Sequence, residues 1–356
     1  MRKYFLGGNT SEGFFSYYDY LLRQSEARKI YVIKGGPGTG KSTLMKKVGE
    51  WAAENGFETD YIYCSSDPDS LDGLVIPEMK IAMVDGTSPH IVDPKTPGAV
   101  DTIIHLGECW NEKKMIKNKA DIINTNAKIA EHFRLSYEHL KAAGVLYAAK
   151  QKIYEKIIKP EAVQKNAAEI IHSEIKEFSP SGTAFRRKLF ASSYGPAGYI
   201  SHAETISCGK KYVLRGSASR QIAEKVADAL SEYGYDTELF YNPLAPRDEI
   251  MHIYVPELDL GIFTEDLASG VSCADAEIID SRNAADRYLL DEYIGELDNL
   301  SRAIDRQTDE ACKIIASAKA LHDKLEGYYV PNMDFTASGK ICDKIIAELE
   351  EMNFGN

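Results

Sequence analysis

The strongest constraint on the fold is that the chain repeats itself. Four short blocks in the first half recur in the same order in the second half. They are residues 2–5, 29–35, 56–63 and 75–79, which match 187–190, 211–216, 234–241 and 254–258. The separation is 181 positions between Tyr31 and Tyr212 and 179 between Pro77 and Pro256. Because the separation is nearly constant, we predict a tandem duplication with halves at 1–186 and 187–356.

Each half has the same predicted order of elements. A β-branched and aromatic run predicts a buried strand at 30–34 and again at 212–215, and a helical pattern follows at 41–54 and 220–232. Further strands are predicted at 59–64 and 80–84, and at 236–241 and 258–263. Long charged stretches with helical spacing close each half, at about 108–176 and 284–352. Alternating strands and helices predict a parallel sheet in each half.

A glycine-rich segment carries most of the chemistry. It reads Gly35-Gly36-Pro37-Gly38-Thr39-Gly40-Lys41-Ser42-Thr43, and residues 35–43 are called the phosphate loop below. The spacing of Gly35, Gly40, Lys41 and Ser42 fits the pattern in which backbone N–H groups surround phosphates between a strand and a helix. Lys41 is expected to reach the β- and γ-phosphates, and the Ser42 hydroxyl to bind Mg²⁺. The predicted fold is therefore two tandem P-loop-type three-layer α/β/α modules with parallel sheets, each followed by a helical hairpin or bundle.

Acidic residues follow the neighbouring predicted strands. Asp85 ends the run 81–84 and is predicted to be the acid on the metal side of the site. Asp67 and Asp69 lie in the acidic segment 67–72, where they would position water, accept a proton or only cap a turn. His90 lies a few residues further on, where it would either contact the γ-phosphate or be an ordinary loop residue.

The second half lacks the corresponding residues. Its loop, 216–222, is shorter and has no Gly-Lys-Ser/Thr, and Thr264 stands where the first half has Asp85. Residues 1–186 hold 25 Lys and Arg against 24 Asp and Glu, whereas residues 187–356 hold 17 against 30. Such an acidic surface repels a polyanion. We therefore predict one nucleotide site per chain, in the first half.

Composition excludes several classes of protein. The net charge of -12 disfavours a general grip on nucleic acid, and no apolar run is long enough for a membrane span or a signal peptide. The six cysteines form no Cys-x-x-Cys pair, which favours a reducing, cytoplasmic location over a disulfide framework or a zinc site. The segment 118–121 spells the guanine-recognition motif of GTPases but lies in a helical pattern, so ATP is the predicted nucleotide.

Taken together, these residues resemble a bacterial family of uncharacterised tandem P-loop ATPase-like proteins. The resemblance rests on the phosphate loop, on the blocks 64–73, 76–78, 85–90 and 93–101, and on 189–192 at the start of the second half. It implies a cytosolic protein of two P-loop modules and supplies no substrate. Family members keep a glycine-rich loop in the second half as well, from which this chain departs at 217–221.

The leading functional prediction is a Mg²⁺-dependent ATPase whose second half is a pseudo-domain. This half would pack on the first or recognise a protein partner or a small-molecule substrate. A P-loop small-molecule kinase is the first alternative, with Asp67 or Asp69 accepting a proton from the substrate. A nucleotide-gated binding protein with negligible turnover is the second. Candidate arginine fingers for the γ-phosphate are Arg186, Arg187 and Arg215. The oligomeric state is left open.

Overall fold

The structure is a computed structural model that describes residues 1–88, 91–265 and 270–354. Its strands are β1 (Arg2–Tyr4), β2 (Gly7–Thr10), β3 (Gly13–Ser16), β4 (Lys29–Lys34), β5 (Asp60–Cys64), β6 (Asp67–Ile76), β7 (Ile81–Asp85), β8 (Asp101–His105), β9 (Arg186–Leu189), β10 (Ser192–Gly195), β11 (Gly198–Ser201), β12 (Lys210–Arg215), β13 (Thr237–Asn242), β14 (Ala245–Val255), β15 (Leu260–Thr264) and β16 (Glu277–Asp280). Its α-helices are α1 (Lys41–Glu54), α2 (Glu112–Lys117), α3 (Lys119–Ile157), α4 (Pro160–Glu174), α5 (Ser219–Glu232), α6 (Arg287–Tyr329) and α7 (Phe335–Phe354).

The first sheet is mixed, not parallel as predicted. Its strand order is β1-β5-β6-β7-β4-β8, and β6 runs antiparallel to both neighbours. The prediction was wrong because the polar residues at 67–70 suggest a loop, whereas they begin a strand. Only Ser65 and Ser66 separate β5 from β6, and so short a connection can join only antiparallel strands. The buried apolar stretch 71–76 then places β6 in the middle of the sheet.

The second sheet has the same strand order and the same pattern of directions. It runs β9-β13-β14-β15-β12-β16, with β14 as its antiparallel strand. The predicted strands and the helix after the first strand are found in each half, and the predicted helix 41–54 coincides with α1, but β6 and β14 are additional strands that were not predicted. The long helical stretches form α2, α3 and α4 after the first sheet, and α6 and α7 after the second.

The chain forms two compact units that do not follow the two halves of the sequence. The first unit contains Met1–Gly7, Ser16–Leu135 and Ile314–Asn356, and the second contains Gly8–Phe15 and Ser136–Lys313. The first unit is therefore completed by α7, which follows the second sheet in sequence, and the second unit by α4, which follows the first sheet. The predicted boundary between residues 186 and 187 stays a prediction about where the two sequence repeats meet.

Equivalent side chains hold these two helices on their sheets. In the first unit, Lys29 and the Tyr31 hydroxyl donate to the Glu348 carboxylate of α7 at 2.7 and 2.9 Å. In the second unit, the Tyr212 hydroxyl donates to Glu174 of α4 at 2.6 Å, and Lys210 lies 2.5 Å from the same carboxylate. The equivalent Lys-x-Tyr segments of β4 and β12 thus each receive a helix glutamate.

The core of the first unit lies between its sheet, α1 and α7. Met45, Val48 and Ala52 of α1 share a buried cluster with Ile345 and Leu349 of α7. These positions recur at three- and four-residue steps, which gives each helix one apolar face. Among the described residues, no helix combines the length and the hydrophobicity needed to cross a membrane.

Candidate functional site

The phosphate loop connects β4 to α1 in the first unit. Gly38 and Gly40 have φ angles of 64° and 90°, in the left-handed region that favours glycine. Gly40 precedes α1 and no side chain caps the helix. The first N–H groups of a helix have no intrahelical partner, so those of Lys41, Ser42 and Thr43 mark a positive helix end. Local geometry therefore provides the backbone donors that phosphate requires.

Lys41 is folded back over the loop from the first turn of α1. Its ammonium group donates to the carbonyl oxygens of Gly35 and Gly36 at 2.8 and 2.9 Å and lies 3.4 Å from the Asp85 carboxylate. The side chains of Lys41 and Asp85 are only 13% and 12% exposed. An ammonium group has three N–H donors, and these three oxygen-bearing groups match them. The charge is thus held inside the loop.

Asp85 reaches this position because β7 lies next to β4. The strands are parallel and Ile33 is paired with Asp85, so both strands end at the same edge of the sheet. Thr87 links the ends of the two strands, because its N–H donates to Asp85 at 2.8 Å and its hydroxyl donates to the Gly35 carbonyl at 2.9 Å. Thr87 was not singled out from the sequence, although an Asp with Thr two residues later is typical of an Asx turn.

Ser42 and Asp85 provide oxygen ligands of the kind that Mg²⁺ prefers. The Ser42 hydroxyl accepts the N–H of Leu71 at 3.0 Å, which fixes the side chain and leaves a second lone pair. Across the described part of the chain, no group of three or more His, Cys, Asp or Glu side chains is placed to hold a metal ion. Two protein ligands still suit Mg²⁺, because this ion keeps waters and takes its remaining oxygens from phosphates. The residues present therefore fit a magnesium–nucleotide complex.

The two predicted catalytic carboxylates lie at the start of β6. Asp67 is 3.5 Å from the ammonium group of Lys319 in α6. Asp69 is exposed, and its backbone carbonyl accepts Lys46 of α1 at 2.6 Å. These contacts are made with α6 and α1, and none of them involves the Lys41 ammonium group. Their predicted catalytic role remains a prediction.

A third carboxylate of the same acidic segment, that of Asp72, is buried. Asp72 is 3% exposed and accepts the Tyr18 hydroxyl at 3.2 Å. Burial raises the pKa of Tyr18, and the negative charges of Asp72 and Asp85 raise it further. Burial likewise raises the pKa of the Cys64 thiol, with Asp72 adding to the effect. Asp72 and Tyr18 therefore form a hydrogen-bonded pair, and the charge of Asp85 acts on the same hydroxyl. The sequence does not reveal this pair, because the polar residues at 67–70 suggest a loop.

The outer side of the phosphate loop is covered by the end of α6 and the turn after it. A Cβ atom built on Gly36 would lie 2.8 Å from the ring of Tyr329, and one on Gly38 would lie 2.7 Å from Val330. Tyr329 also contacts Trp110, with ring centroids 6.0 Å apart. The hairpin is fixed there because Asn111 donates its N–H to the Asn332 carbonyl at 2.8 Å. The two glycines thus permit close packing against the loop.

The second unit has a different arrangement at the equivalent place. Leu214 is paired with Thr264 as Ile33 is paired with Asp85, so Thr264 takes the position of that carboxylate. Ser219 begins α5 where Lys41 begins α1, and its hydroxyl donates to the Gly216 carbonyl at 2.7 Å. No lysine lies in this loop. At the equivalent positions the second unit therefore has neither the lysine nor the carboxylate of the first, and Arg220, the cation of this loop, pairs with Glu224 at 3.0 Å.

The remaining predicted residues have these positions. Three arginines of the second unit form ion pairs there: Arg186 with Asp228, Arg187 with Glu238, and Arg215 with Glu265. Asn118 lies between α2 and α3, and residues 119–121 open α3, so the GTPase-like motif occupies a helix start. His90 lies outside the described residues.

A scan against protein-family models found no match, and neither the curated proteins nor the solved structures gave one. The resemblance to tandem P-loop ATPase-like proteins therefore stays a prediction. Function has to be argued from the loop and its surroundings.

Proposed function

We propose that the chain binds ATP with Mg²⁺ at the phosphate loop of its first unit and hydrolyses it. One observation carries the proposal: Lys41 lies within a glycine-rich strand-to-helix loop, 3.4 Å from a carboxylate that ends the adjacent parallel strand. A lysine, a helix N-terminus and a neighbouring acid are the groups that phosphoryl-transfer sites of this class require. The GTPase-like motif at a helix start supports ATP over GTP.

Each residue then has a definite task. Lys41 exchanges the carbonyls of Gly35 and Gly36 for the β- and γ-phosphate oxygens, and the loop N–H groups surround the phosphates. Ser42 and Asp85 would hold Mg²⁺, which neutralises charge on the phosphates when bound. Asp72 is our choice for orienting water, because it is buried and accepts the Tyr18 hydroxyl, whereas Asp67 lies 3.5 Å from the Lys319 ammonium group. Exclusion of bulk water strengthens each of these interactions.

The covered loop favours a second candidate, a nucleotide-gated binding protein. Tyr329 and Val330 pack directly on Gly36 and Gly38, so a loop that changes shape around phosphate would press on the hairpin between α6 and α7. In this alternative ATP binds tightly, turnover is negligible, and the hairpin changes its protease sensitivity. The rate of phosphate release decides between the two candidates, because it is measurable for an ATPase and negligible for gating without turnover.

Calorimetry with MgATP tests the proposal, with phosphate release measured on the same samples. Lys41→Ala should abolish binding and release. Lys113→Ala removes an exposed lysine of α2 and should leave both unchanged. The expected stoichiometry is one ATP per chain, because the second unit has neither the lysine nor the carboxylate at the equivalent positions. Two ATP per chain, or hydrolysis that survives Lys41→Ala, would refute the assignment.

A further inference from the structure

A cleft of about 260 Å³ opens beside the phosphate loop in the first unit. One wall comes from the loop and the first turns of α1, with Gly40, Thr43 and Lys47. The opposite wall comes from the start of α7, with Phe335, Gly339 and Cys342. The volume is near the lower end of the range for small-molecule sites, which run from about 300 Å³ upward.

The cleft lies next to the proposed site of the triphosphate. Gly40 and Thr43 belong to the phosphate loop itself, so the cleft shares a wall with the proposed phosphate site. Packing by Tyr329 and Val330 covers another side of the loop, at Gly36 and Gly38. A nucleoside attached to phosphates at Lys41 can therefore leave the loop toward α7 without displacing that packing.

The walls have the chemistry that a nucleobase requires. Phe335 is 49% exposed, although its ring edge is 3.9 Å from a Cβ built on Gly40. Leu44 and Leu106 supply a buried apolar floor. A Cβ built on Gly339 would meet nothing within 4 Å, so the space in front of this helix turn is open. An aromatic ring beside open apolar space is a typical stacking platform, because every base presents a π-face.

The helix that forms the outer wall is held rigidly. Its first turn is capped by Asp334, whose carboxylate accepts the N–H groups of Thr336 and Ala337 at 3.0 Å each. The Asp334 N–H donates to the Cys109 carbonyl at 2.7 Å, and Glu348 fixes the far end of the helix to β4. The cleft is thus preorganised, which lowers the entropy cost of binding.

We propose that this cleft binds the nucleobase and ribose of the nucleoside triphosphate, with Phe335 stacking on the base. The inference rests on the proposed function, since it needs the triphosphate on the phosphate loop. It assigns a role to the C-terminal end of the chain: α7, which follows the second sheet in sequence, completes the nucleotide site of the first unit. The half that lost its own phosphate loop supplies the nucleoside subsite of the other.

Two variants and two ligands test the subsite. Gly339→Trp fills the open space with an indole ring, whereas Gly339→Ala adds only a methyl group that fits without contact. The ligands are MgATP and inorganic tripolyphosphate with Mg²⁺, both measured by calorimetry. We expect Gly339→Trp to weaken ATP binding about tenfold or more, the worth of one stacked base, without changing tripolyphosphate binding. Gly339→Ala should bind both ligands as the wild type does.

The outcomes separate the subsite from the phosphate site. If the wild type binds neither ligand, the proposed function fails and the subsite with it. If ATP binding is unchanged in Gly339→Trp, the function stands and the subsite is refuted. If Gly339→Trp loses both ligands, Phe335→Ala decides, because its exposed ring can be removed without opening the core. A tenfold loss for ATP alone then supports stacking, and an unchanged ATP affinity overturns it.

Discussion

Removing the Glu348 side chain should destabilise the first unit by an amount that its contacts allow us to estimate. Glu348 accepts Lys29 at 2.7 Å and the Tyr31 hydroxyl at 2.9 Å. The ion pair is partly exposed, with side chains 36% and 23% accessible, so it contributes about 0.5 kcal/mol. The bond from the buried Tyr31 hydroxyl to a charged acceptor contributes about 1.5 kcal/mol. We expect Glu348→Ala to lower the free energy of unfolding by about 2 kcal/mol.

The stability lost in Glu348→Ala should be larger at pH 7 than at pH 3. Although burial opposes it, hydrogen bonds from Lys29 and Tyr31 lower the pKa of Glu348 below its ordinary value of 4.5. A carboxyl group with a lowered folded-state pKa adds stability above the unfolded-state pKa and loses it as the pH falls through the folded value. The difference between wild type and Glu348→Ala should therefore be full at pH 7 and smaller at pH 3.

Tryptophan fluorescence during urea unfolding measures this effect selectively. The chain has two tryptophans, Trp51 and Trp110, and both belong to the first unit. Glu350→Ala is the matched control, because Glu350 is exposed on the same helix and should change stability by less than about 0.5 kcal/mol. The double variant with Tyr31→Phe should show a coupling of about 1 kcal/mol. A Glu348→Ala variant as stable as the control, or equally destabilised at pH 3 and 7, would refute the reasoning.

Three other predictions follow from the same geometry. Asp72→Asn should reduce phosphate release at least tenfold with ATP binding retained, whereas Asp67→Asn should change the rate little. If the two variants release phosphate at the same rate, Asp72 has no role in the site. Gly38→Ala should cost about 1–2 kcal/mol, because its φ of 64° disfavours side chains and a Cβ would lie 2.7 Å from Val330; an unchanged melting temperature would contradict this. At pH 8 a thiol reagent should modify exposed Cys273 first and Cys312 slowly, since burial raises the pKa of Cys312 to about 11; peptide mass spectrometry gives the order, and early labelling of Cys312 would contradict its burial.

Local pattern was enough to predict much of the fold and part of the candidate site. The strand into the phosphate loop, the helix out of it and the acid at the end of the adjacent strand all depend on short stretches of sequence. Glycine at 38 and 40 permits left-handed backbone, and Lys41 and Ser42 follow within one turn of helix. The register of Thr264 opposite Leu214 matches the position deduced for it by alignment with Asp85. These features need no knowledge of distant partners.

The errors arose where pairing between strands decides the structure. Polar residues at 67–70 suggest a loop, yet the segment becomes a strand because its backbone pairs with β5. Once β6 exists, its place between β5 and β7 makes the sheet mixed and buries Asp72 beside Tyr18. Tertiary pairing overrides local propensity in such segments, since burial and cross-strand contacts outweigh intrinsic preference.

The sequence by itself determined that the chain repeats and that only its first half keeps a complete phosphate loop. Tertiary structure decided which helix covers which sheet, and so which residues surround that loop. An amphipathic helix carries an apolar face of about the same kind wherever it packs, and nothing in the spacing of α4 or α7 specifies a particular sheet. Specific contacts settle the choice: Glu348 meets Lys29 and Tyr31 in one unit, and Glu174 meets Lys210 and Tyr212 in the other.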